Sequence, residues 1–516
     1  LDGRTGEFRL FAPDFPDWIE DAGVGIKLAP DQRTTEVLKK ALKAVEKNNT
    51  LFPLFEQLHD GNSIPINNVS TFSGNIEYFN TRLNDSQHKA IEAILSNESI
   101  AIVHGPPGTG KTTTLLEAIY QLTQKGQKVL VAAPSNTAVD HITKGLLQYG
   151  INVLRVGNSS KANADVFAHT PEGKLSNSKD QKEIKALKIR AEEFRKMALK
   201  YKRSFGKAER EQRNLLFKEV KAIRTEIKKM QAYNEDKLFA EATVITGTPI
   251  ALYDAELQHM HFQTLFIDEA GQCLEPMAWS IFPLADKYVL GGDHLQLPPT
   301  VLSETALKLG YNRSILEIAV ARCNTVHLLN TQYRMQESIA GFSSGYFYKG
   351  LLQTAAYLKG TAKQIYFIDT AGSGFQEIQG KDGMSLQNEG ELTLIQKLIE
   401  TENINLQTTA LISPYAGQVA AAKEIFGPTL RISTIDSFQG QEQDTILLSL
   451  VRSNDDGDIG FLKDYRRMNV AITRAKKQLF VIGDSASIGA DGFYNAFLTY
   501  VEQHGHYKTV WEFDLL

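Results

Sequence analysis

The stretch Gly105-Pro-Pro-Gly-Thr-Gly-Lys-Thr112 decides the fold class of this chain of 516 residues. It follows a short apolar run at 100–103 and precedes a helical pattern that begins at Thr113. A strand, a glycine-rich turn of the form G-x-x-x-x-G-K-[ST] and a helix in this order form a phosphate-binding loop. The glycines let backbone N–H groups approach phosphate oxygens, and the helix N-terminus adds a favourable dipole. We expect Lys111 to reach the β- and γ-phosphates and the Thr112 hydroxyl to bind Mg²⁺.

A second apolar run, 265–267, ends in the acidic pair Asp268-Glu269. Beside a phosphate loop, Asp268 can hold Mg²⁺ through water, and Glu269 can orient the attacking water as a general base. Alone, two acids at a strand end indicate little, since strand ends often carry solvated carboxylates. Together with the phosphate loop, they predict the hydrolysis of a nucleoside triphosphate.

Short apolar runs alternate with helical patterns from about Leu83 onward. Such runs occur at 100–103, 129–131, 265–267, 288–290, 365–368, 409–412, 445–450 and 479–482. This alternation predicts parallel sheets covered by helices. The runs are too many for one compact five-stranded unit, so we expect two α/β domains that join near Cys323–Leu329.

Residues 177–237 interrupt this alternation with a charged helical segment. Apolar residues step by three and four on both sides of a break at 204–206, which predicts an antiparallel hairpin of two helices. The segment holds 19 Lys and Arg against 10 Asp and Glu, a net charge of +9, which leaves −13 for the rest of the chain. Either this charge forms a solvated face, or the hairpin lies near a polyanion.

The composition excludes several other classes of protein. Hydrophobic residues make up 42% and charged residues 22% of the chain, as in a folded globular protein. The net charge of −4 excludes a uniformly basic nucleic-acid coat but not a local basic patch. Two cysteines cannot form a disulfide framework, so we expect a reducing, intracellular (cytoplasmic) compartment. No apolar run reaches the length of a membrane span, and the start at Leu1 leads us to expect a piece of a longer protein.

The acidic strand end, Asp268-Glu-Ala-Gly-Gln272, resembles motif II of the superfamily 1 helicases, in the form of the Up-frameshift-like branch of subfamily 1B. Further segments resemble the other motifs of this family in the expected order: 83–87, 133–136, 246–248, 291–299, 332–335, 413–418, 433–442 and 469–476. The resemblance therefore extends over about residues 83–484. It implies an α/β fold with two tandem RecA-like P-loop domains, an inserted helical hairpin and the remnant of an N-terminal barrel and stalk.

The resemblance also implies a function, an ATP-dependent helicase or translocase that moves 5′→3′ on single-stranded RNA or DNA and uses ATP and Mg²⁺. The residues implied in catalysis are Lys111, Glu269, Gln296, Arg334 and Arg474, and those implied in holding the metal are Thr112 and Asp268. The implied nucleotide-binding residues are Gln87, Gly105, Gly108, Thr109, Gly110, Lys111, Thr112, Thr113, Tyr333, Gly440 and Glu442. Within this set, Gln87 would bond the adenine edge and Tyr333 would stack on its face.

Single-stranded nucleic acid lies across both domains in this family. The residues implied in contacting the strand are Ser135, Asn136, Thr248, Pro298, Ser413, Tyr415 and Thr434. Hydroxyl and amide groups of this kind position phosphates without reading the base sequence. The hairpin lies between two of these segments, where relatives insert a helical domain, and this placement favours the nucleic-acid interpretation of its charge.

The resemblance divides the chain into domains. The expected parts are the tail of a β-barrel at 1–30, a stalk helix at 31–62, a first RecA-like domain at 63–165 and 238–325, an inserted helical domain at 166–237 and a second RecA-like domain at 326–516. We expect the earlier strands of the barrel and the first stalk helix to lie outside this chain.

Two alternative functions stay open at this point. A nucleotide-gated nucleic-acid clamp would remodel protein–RNA complexes with little unwinding. A ring-forming ATPase is disfavoured, because rings take their arginine from a neighbouring subunit, whereas Arg334 and Arg474 lie in one chain. We therefore expect a monomer that binds single-stranded RNA or DNA, and the sequence names no protein partner.

Overall fold

The computed structural model describes most of the chain. The described residues are 33–59, 76–96, 99–176, 180–199, 207–301, 303–323, 325–360, 362–381, 383–438 and 440–513. The predicted barrel tail at 1–30 lies outside these ranges. Within them the chain forms two parallel-sheet α/β domains, which confirms the predicted fold class of two tandem RecA-like units.

The first domain is built on seven parallel strands. They are β1 Ile100–His104, β2 Val129–Ala132, β3 Val153–Arg155, β4 Val244–Gly247, β5 Phe262–Ile267, β6 Ala285–Gly292 and β7 His327–Leu328. Their order across the sheet is β3-β4-β2-β5-β6-β1-β7, and every neighbouring pair is parallel. Because helices cover both faces of such a sheet, its strands are almost wholly apolar.

Helices accompany these strands along the first part of the chain. They are α1 Arg33–Glu46, α2 Leu51–His59, α3 Asp85–Leu95, α4 Lys111–Gln124, α5 Asn136–Gln148, α6 Ala164–Phe167, α7 Pro171–Ser176, α8 Asp180–Leu199, α9 Lys207–Glu241, α10 Pro249–Asp254, α11 Glu275–Ile281, α12 Glu304–Lys308 and α13 Ile315–Arg322. Helices α3, α4 and α5 pack on one face of the sheet, where Ile91 and Ile119 meet Val103. Helices α10, α11 and α13 pack on the other, where Trp279 and Leu130 share a second core.

The second domain repeats this architecture. Its strands are β8 Thr331–Gln332, β9 Gln353–Thr354, β10 Ile365–Asp369, β11 Ile378–Gln379, β12 Leu386–Gln387, β13 Thr409–Ser413, β14 Arg431–Thr434, β15 Gln443–Ser449, β16 Ala475–Gly483 and β17 His506–Thr509. Six of them form a parallel sheet in the order β14-β13-β15-β16-β10-β17, while β8 pairs with β9 and β11 pairs with β12. Its helices are α14 Glu337–Phe347, α15 Glu389–Thr401, α16 Ala416–Phe426, α17 Tyr465–Ile472, α18 Ser485–Ile488 and α19 Gly492–His504.

A buried carboxyl group lies in the core of the second domain. Glu391 on α15 is fully buried and accepts hydrogen bonds from Ser449 Oγ at 2.5 Å and from the amide of Val451 at 3.0 Å. Burial raises the pKa of Glu391 to about 8, although both hydrogen bonds act in the opposite direction. The fold therefore favours the protonated form of this carboxyl group at neutral pH.

The structure differs from the predicted stalk helix at 31–62. The described part of this range contains two helices, α1 and α2, rather than one. The side chain of Asn48 accepts hydrogen bonds from the amides of Thr50 at 2.9 Å and Leu51 at 3.0 Å, which starts a new helix. Asparagine stabilises such helix starts because its side chain replaces the missing backbone partners.

The predicted charged hairpin appears as α8 and α9. Ile184 and Ala191 of α8 pack against Ile223 and Ile227 of α9 in a small separate core. These are residues of the three-and-four stepping pattern, so the hydrophobic spacing identified the inner faces of the two helices. The turn predicted at 204–206 lies outside the described residues.

The two domains meet close to β7. Strand β7 pairs with β1, so residues 327–328 belong to the first sheet, although the predicted second domain begins at 326. Strand β7 has only two residues, so no apolar pattern in the sequence could predict it. Among the described helices, none combines the length and apolar character that crossing a bilayer requires.

Candidate functional site

The phosphate loop joins β1 to α4 in the way its sequence predicts. Gly108 and Gly110 have φ angles of +73° and +75°, a backbone region that favours glycine. A Cβ atom at Gly108 would lie 2.6 Å from Cβ of Arg334, and one at Gly110 would lie 2.7 Å from Nε2 of Gln87. Thr109 is buried and donates its hydroxyl to the carbonyl of Pro106 at 2.8 Å. The loop thus needs glycine at both positions, because their φ angles are positive and because a side chain there would collide with Arg334 or Gln87.

A cluster of opposite charges forms where this loop meets the end of β5. Nζ of Lys111 lies 2.8 Å from Oε1 of Glu269 and 3.3 Å from Oδ1 of Asp268. Burial lowers the pKa of Lys111, but the two carboxylates outweigh burial, so the net shift is upward. Burial also raises the pKa of Glu269, yet the charges of Lys111 and Arg474 outweigh it and hold this pKa below its usual value. Lys111 and Glu269 are therefore both charged at neutral pH.

The same place offers oxygen atoms suited to a magnesium ion. Oγ1 of Thr112 and Oδ2 of Asp268 lie 3.5 Å apart. Hydroxyl and carboxylate oxygens are ligands that Mg²⁺ takes in phosphate-transfer sites. Thr113 lies next along the first turn of α4. The donor set of Thr112 and Asp268 fits the predicted ion.

Glu269 occupies an unusual backbone position. Its φ angle is +54°, and its amide donates to Oδ1 of Asp268 at 2.8 Å. Residues other than glycine are uncommon in this region, and such positions concentrate at functional sites. The turn holds the Glu269 carboxylate, whose side chain is 36% exposed, beside Lys111.

Asp293, which directly follows β6, is a hydrogen-bond junction that the sequence analysis missed. Its Oδ1 meets Nε2 of His104 at 2.9 Å and accepts from the amide of Leu295 at 3.0 Å. Its Oδ2 accepts from Nε2 of Gln296 at 2.7 Å and from Oη of Tyr348 at 2.6 Å. Burial raises the pKa of Asp293, but these partners outweigh it and lower the pKa to about 2.

His104, Asp293 and His294 could also be considered as metal ligands, since their ligand atoms lie within 4.8 Å of one another. Groups outside this cluster already donate to both carboxylate oxygens of Asp293, the amide of Leu295 to Oδ1 and the side chains of Gln296 and Tyr348 to Oδ2. We interpret the cluster as a structural junction for this reason. The position of Asp293 inside the segment 291–299 was the signal from which it could have been found.

Two arginines of the second domain reach the cleft between the domains. Nη2 of Arg474 donates to Oε1 of Gln296 at 3.1 Å, across the boundary between the domains. Burial and the nearby charge of Arg334 lower the pKa of Arg474 to about 9. Nε of Arg334 lies 2.5 Å from Oε2 of Glu442, which also pairs with Lys476 at 2.9 Å. The structure thus brings Arg474 to the first domain and ties Arg334 to a residue of the second.

The residues predicted to hold adenine lie on the other side of the phosphate loop. Nε2 of Gln87 donates to the carbonyl of Thr109 at 3.2 Å, and its Oε1 accepts from the amide of Asn84 at 2.9 Å. The amide of Tyr333 donates to the carbonyl of Gly108 at 2.8 Å, and its hydroxyl accepts from Nδ2 of Asn84 at 2.7 Å. Tyr333 keeps 37% of its surface exposed, whereas Gln87 is buried. Gly440, with a φ of +72°, lies exposed in the second domain.

The strand-contacting residues predicted in the first domain lie at one edge of its sheet. Ser135 and Thr248 are the N-cap residues of α5 and α10, after β2 and β4, and their hydroxyls accept backbone amides at 3.1 Å and 3.3 Å. Asn136 begins α5, and its Oδ1 accepts from Nη2 of Arg155 at 2.8 Å. Pro298 is partly exposed. Helix N-termini are common sites of phosphate contact.

Arg155 is a second residue that the sequence analysis missed. It is fully buried, and its Nε lies 3.1 Å from Oδ1 of Asp140, which is also buried. A buried charge of this kind needs a partner and full hydrogen bonding. Since Arg155 is the last residue of the short strand β3, nothing in its sequence context marked it as the partner of Asn136.

The strand-contacting residues predicted in the second domain are only partly accessible. Ser413 and Tyr415 are 0% and 2% exposed, so their side chains do not reach the surface. This differs from the predicted contacts with phosphates, because the core of the second domain encloses both side chains. Thr434 is partly exposed, and its Oγ1 lies 2.9 Å from Oγ of Ser437.

Known proteins resemble this chain over most of its length. Two family models described as AAA domain match residues 82–304 and 311–486. The DNA polymerase alpha-associated DNA helicase A of Schizosaccharomyces pombe is 32% identical over 460 residues, which cover 84% of this chain and 68% of that protein. The DNA-binding protein SMUBP-2 of Mesocricetus auratus is 33% identical over 519 residues, covering 95% of this chain and 51% of that protein. The ATP-dependent helicase upf1 of S. pombe is 30% identical, covering 82% of this chain and 47% of that protein.

The chain therefore spans about half the length of several curated relatives that it matches. The matched residues include the phosphate loop, the acidic strand end and both arginines of the cleft. On this agreement of motifs, fold and relatives, the chain belongs to the Up-frameshift-like branch of the superfamily 1B helicases.

Proposed function

We propose that this chain is an ATP-dependent helicase or translocase on single-stranded RNA or DNA. The observation that carries the proposal is the hydrogen bond of 3.1 Å from Arg474 of the second domain to Gln296 of the first. It lies in the cleft that also holds Lys111 and Glu269, so a site for phosphate chemistry has contributions from both domains. Because both domains contribute residues to this site, the rate of ATP hydrolysis depends on how the domains are arranged.

The residues of the cleft divide the chemistry among them. The phosphate loop binds the triphosphate of ATP through its backbone amides, and Lys111 holds the β- and γ-phosphates. Thr112 and Asp268 would hold Mg²⁺, which neutralises charge on the phosphates when bound. Glu269 orients the attacking water and accepts its proton, for which its low pKa keeps it ionised. Arg474 and Gln296 stabilise charge that develops on the γ-phosphate.

The charge of the cleft explains why both domains are needed. Arg474 is buried near Arg334, Glu269 and Glu442, and burial together with the charge of Arg334 lowers its pKa to about 9. An anionic γ-phosphate would supply the missing negative charge. Binding of ATP would then draw the domains together, and hydrolysis would release them. If each domain holds the strand, this alternation moves the strand through the protein, and we propose the 5′→3′ direction of the family.

The strand itself would cross the edge formed by Ser135, Asn136 and Thr248, then pass to the second domain near Thr434. Along the chain, the basic hairpin α8–α9 lies between Asn136 and Thr248. We propose that it adds contacts to the phosphates of the strand. Because both arginines come from one chain, a monomer is sufficient for this mechanism.

Strand-stimulated ATP hydrolysis and unwinding test this proposal. The parent chain should hydrolyse ATP faster when poly(U) or poly(dT) is added, and it should unwind a duplex with a 5′ overhang better than one with a 3′ overhang. Lys111→Ala should abolish both, while Lys423→Ala, a change of an exposed lysine on α16, should preserve both. Unwinding by Lys111→Ala at the parental rate would refute the mechanism. Stimulated hydrolysis without unwinding would instead identify a nucleotide-gated clamp. The same assays with RNA and DNA strands of matched sequence would show which nucleic acid the protein prefers.

A further inference from the structure

A cleft of about 580 Å³ lies at the seam between the domains, outside the ATP site. Residues from both domains line it, among them Leu295, Phe461, Lys463, Asp464, Arg466 and Arg467. Leu295 belongs to the same short segment as Asp293 and Gln296, and Nδ2 of Asn469 holds its carbonyl at 2.9 Å. In this one segment, Gln296 therefore faces the ATP site and Leu295 lines the cleft.

The cleft borders the segments that the proposed function assigns to strand binding. Pro298 follows Leu295 by three residues in the first domain. In the second domain, Nε of Arg467 lies 3.3 Å from Oδ1 of Asp436, two residues after Thr434. The ring of Phe461 lies 5.7 Å from the ring of Tyr415. A strand that passes from Pro298 to Thr434 would cross this cleft.

Phe461 is the most exposed of the aromatic side chains that line the cleft, since Phe347 and Tyr465 are partly buried. It is 65% exposed, whereas Tyr415 beneath it is 2% exposed. The backbone fixes this arrangement, since Gly460 has a φ of +49° and a Cβ there would lie 2.9 Å from Oη of Tyr415. Leu462, on the other side, is buried and anchors the turn. The fold thus hides Tyr415 and displays Phe461.

The charges around the ring do not account for strand binding by themselves. Lys463, Arg466 and Arg467 face Asp464, which leaves a net charge of +2 on the lining. Arg467 pairs with Asp464 at 3.1 Å, and Arg466 reaches Glu317 of the first domain at 3.7 Å. An exposed ring among partly neutralised cations suits a base with its phosphate, because every base has a face that stacks on an aromatic side chain.

We propose that Phe461 is the residue on which the second domain stacks a base of the bound single strand, whereas the family resemblance implied a phosphate contact by the neighbouring Tyr415. This assignment rests on the proposed function. Stacking would couple the strand to the segment 293–296 through the shared cleft wall at Leu295. It would be tolerant of base identity, since a phenyl ring offers no hydrogen bonds to base edges.

Strand binding by the whole chain tests the assignment. The variants are Phe461→Ala, which removes the ring, Phe461→Trp, which keeps a stacking surface, and Trp511→Ala, which removes another exposed ring (59% exposed) as a matched control. Each is titrated against labelled poly(dT), poly(U) and an abasic strand of the same length, and its thermal midpoint is measured. We expect Phe461→Ala to weaken poly(dT) and poly(U) binding by about 5- to 150-fold. Binding of the abasic strand should not change.

The remaining results separate this assignment from the proposed function. Parental affinity in Phe461→Trp and Trp511→Ala would support stacking at Phe461. An equal loss on the abasic strand, or parental binding of poly(dT) by a folded Phe461→Ala, would overturn the assignment. If the folded Phe461→Ala variant binds poly(dT) like the parent and poly(dT) still stimulates its ATP hydrolysis, only the assignment fails and the proposed function is retained. A parent chain that binds no strand would overturn both.

Discussion

Replacing Tyr348 with Phe removes a single hydroxyl group from the buried junction between the two domains. In the parent, Oη of Tyr348 donates to Oδ2 of Asp293 at 2.6 Å and accepts from Nδ2 of Asn469 at 3.0 Å. Asp293 belongs to the first domain, whereas Tyr348 and Asn469 belong to the second. The aromatic ring stays in the variant, so the packing around it is preserved and the hydrogen bond is the main loss.

The size of the effect follows from the type of bond. A hydrogen bond to a charged acceptor contributes about 1.5–3 kcal/mol, and the lowered pKa of Asp293 shows that this acceptor is charged. Because donor and acceptor lie in different domains, only the closed arrangement loses this energy. The ratio of closed to open protein should fall roughly 10- to 150-fold. Since Arg474 meets Gln296 only when the domains are closed, kcat for strand-stimulated hydrolysis should fall.

ATP affinity and ATP hydrolysis are measured separately in the Tyr348→Phe variant. Binding of a fluorescent ATP analogue should weaken by no more than the same factor, because the phosphate loop and Lys111 are untouched and only the closure of the domains is impaired. The matched control is Tyr346→Phe, two residues earlier on α14, where the side chain is 45% exposed. Parental kcat in Tyr348→Phe, with a thermal midpoint equal to that of Tyr346→Phe, would refute the reasoning that this bond holds the domains together.

Three further predictions concern other buried or charged groups. Arg155→Met should lower the free energy of unfolding by about 3–5 kcal/mol in urea titrations, because it leaves the buried carboxylate of Asp140 without its cationic partner. Glu391→Gln should flatten the pH dependence of stability. The contribution of the protonated carboxyl is fully present below its usual pKa of about 4.3 and is lost as the pH rises through about 8, a change on the order of 4 kcal/mol in unfolding titrations at pH 5 and 8.5. Replacing Lys218 and Lys221 of α9, both exposed, with Ala should weaken strand binding and reduce the slope of log K against log salt by about 1.4.

Each of these predictions has a result that contradicts it. Arg155→Met that unfolds at the parental urea concentration would mean that Asp140 finds another partner. An unchanged pH dependence in Glu391→Gln would show that other groups set it. An unchanged salt slope after the two lysine replacements would return the hairpin to the interpretation of a solvated charged face.

Local sequence patterns predicted the parts of the site that are local in the chain. The phosphate loop needs two residues with positive φ within three positions, and only glycine supplies them easily, so Gly108 and Gly110 were recognisable in the sequence. The apolar runs gave the strands that helices cover on both sides. The three-and-four spacing gave the inner faces of α8 and α9, because helix periodicity depends only on neighbours along the chain.

Most of the differences from the sequence-based expectations have one cause, which is contact between distant segments. A motif suggested that Tyr415 touches the strand, but a turn some 45 residues later places Phe461 over it. The predicted stalk helix at 31–62 is the exception, since the side-chain bond at Asn48 that starts its second helix is local. Asp293 and Arg155 were missed because their roles exist only through the partners that the fold brings to them.

The sequence by itself determined the fold class, the family and the phosphate loop, since each depends on residue types at fixed spacing. Only the tertiary structure decided which side chains meet across the cleft. Arg474 lies 178 residues after Gln296, and Tyr348 lies 55 residues after Asp293, yet hydrogen bonds join both pairs. No local pattern encodes such pairs, because burial and hydrogen-bond geometry arise only when both domains have folded and packed against each other.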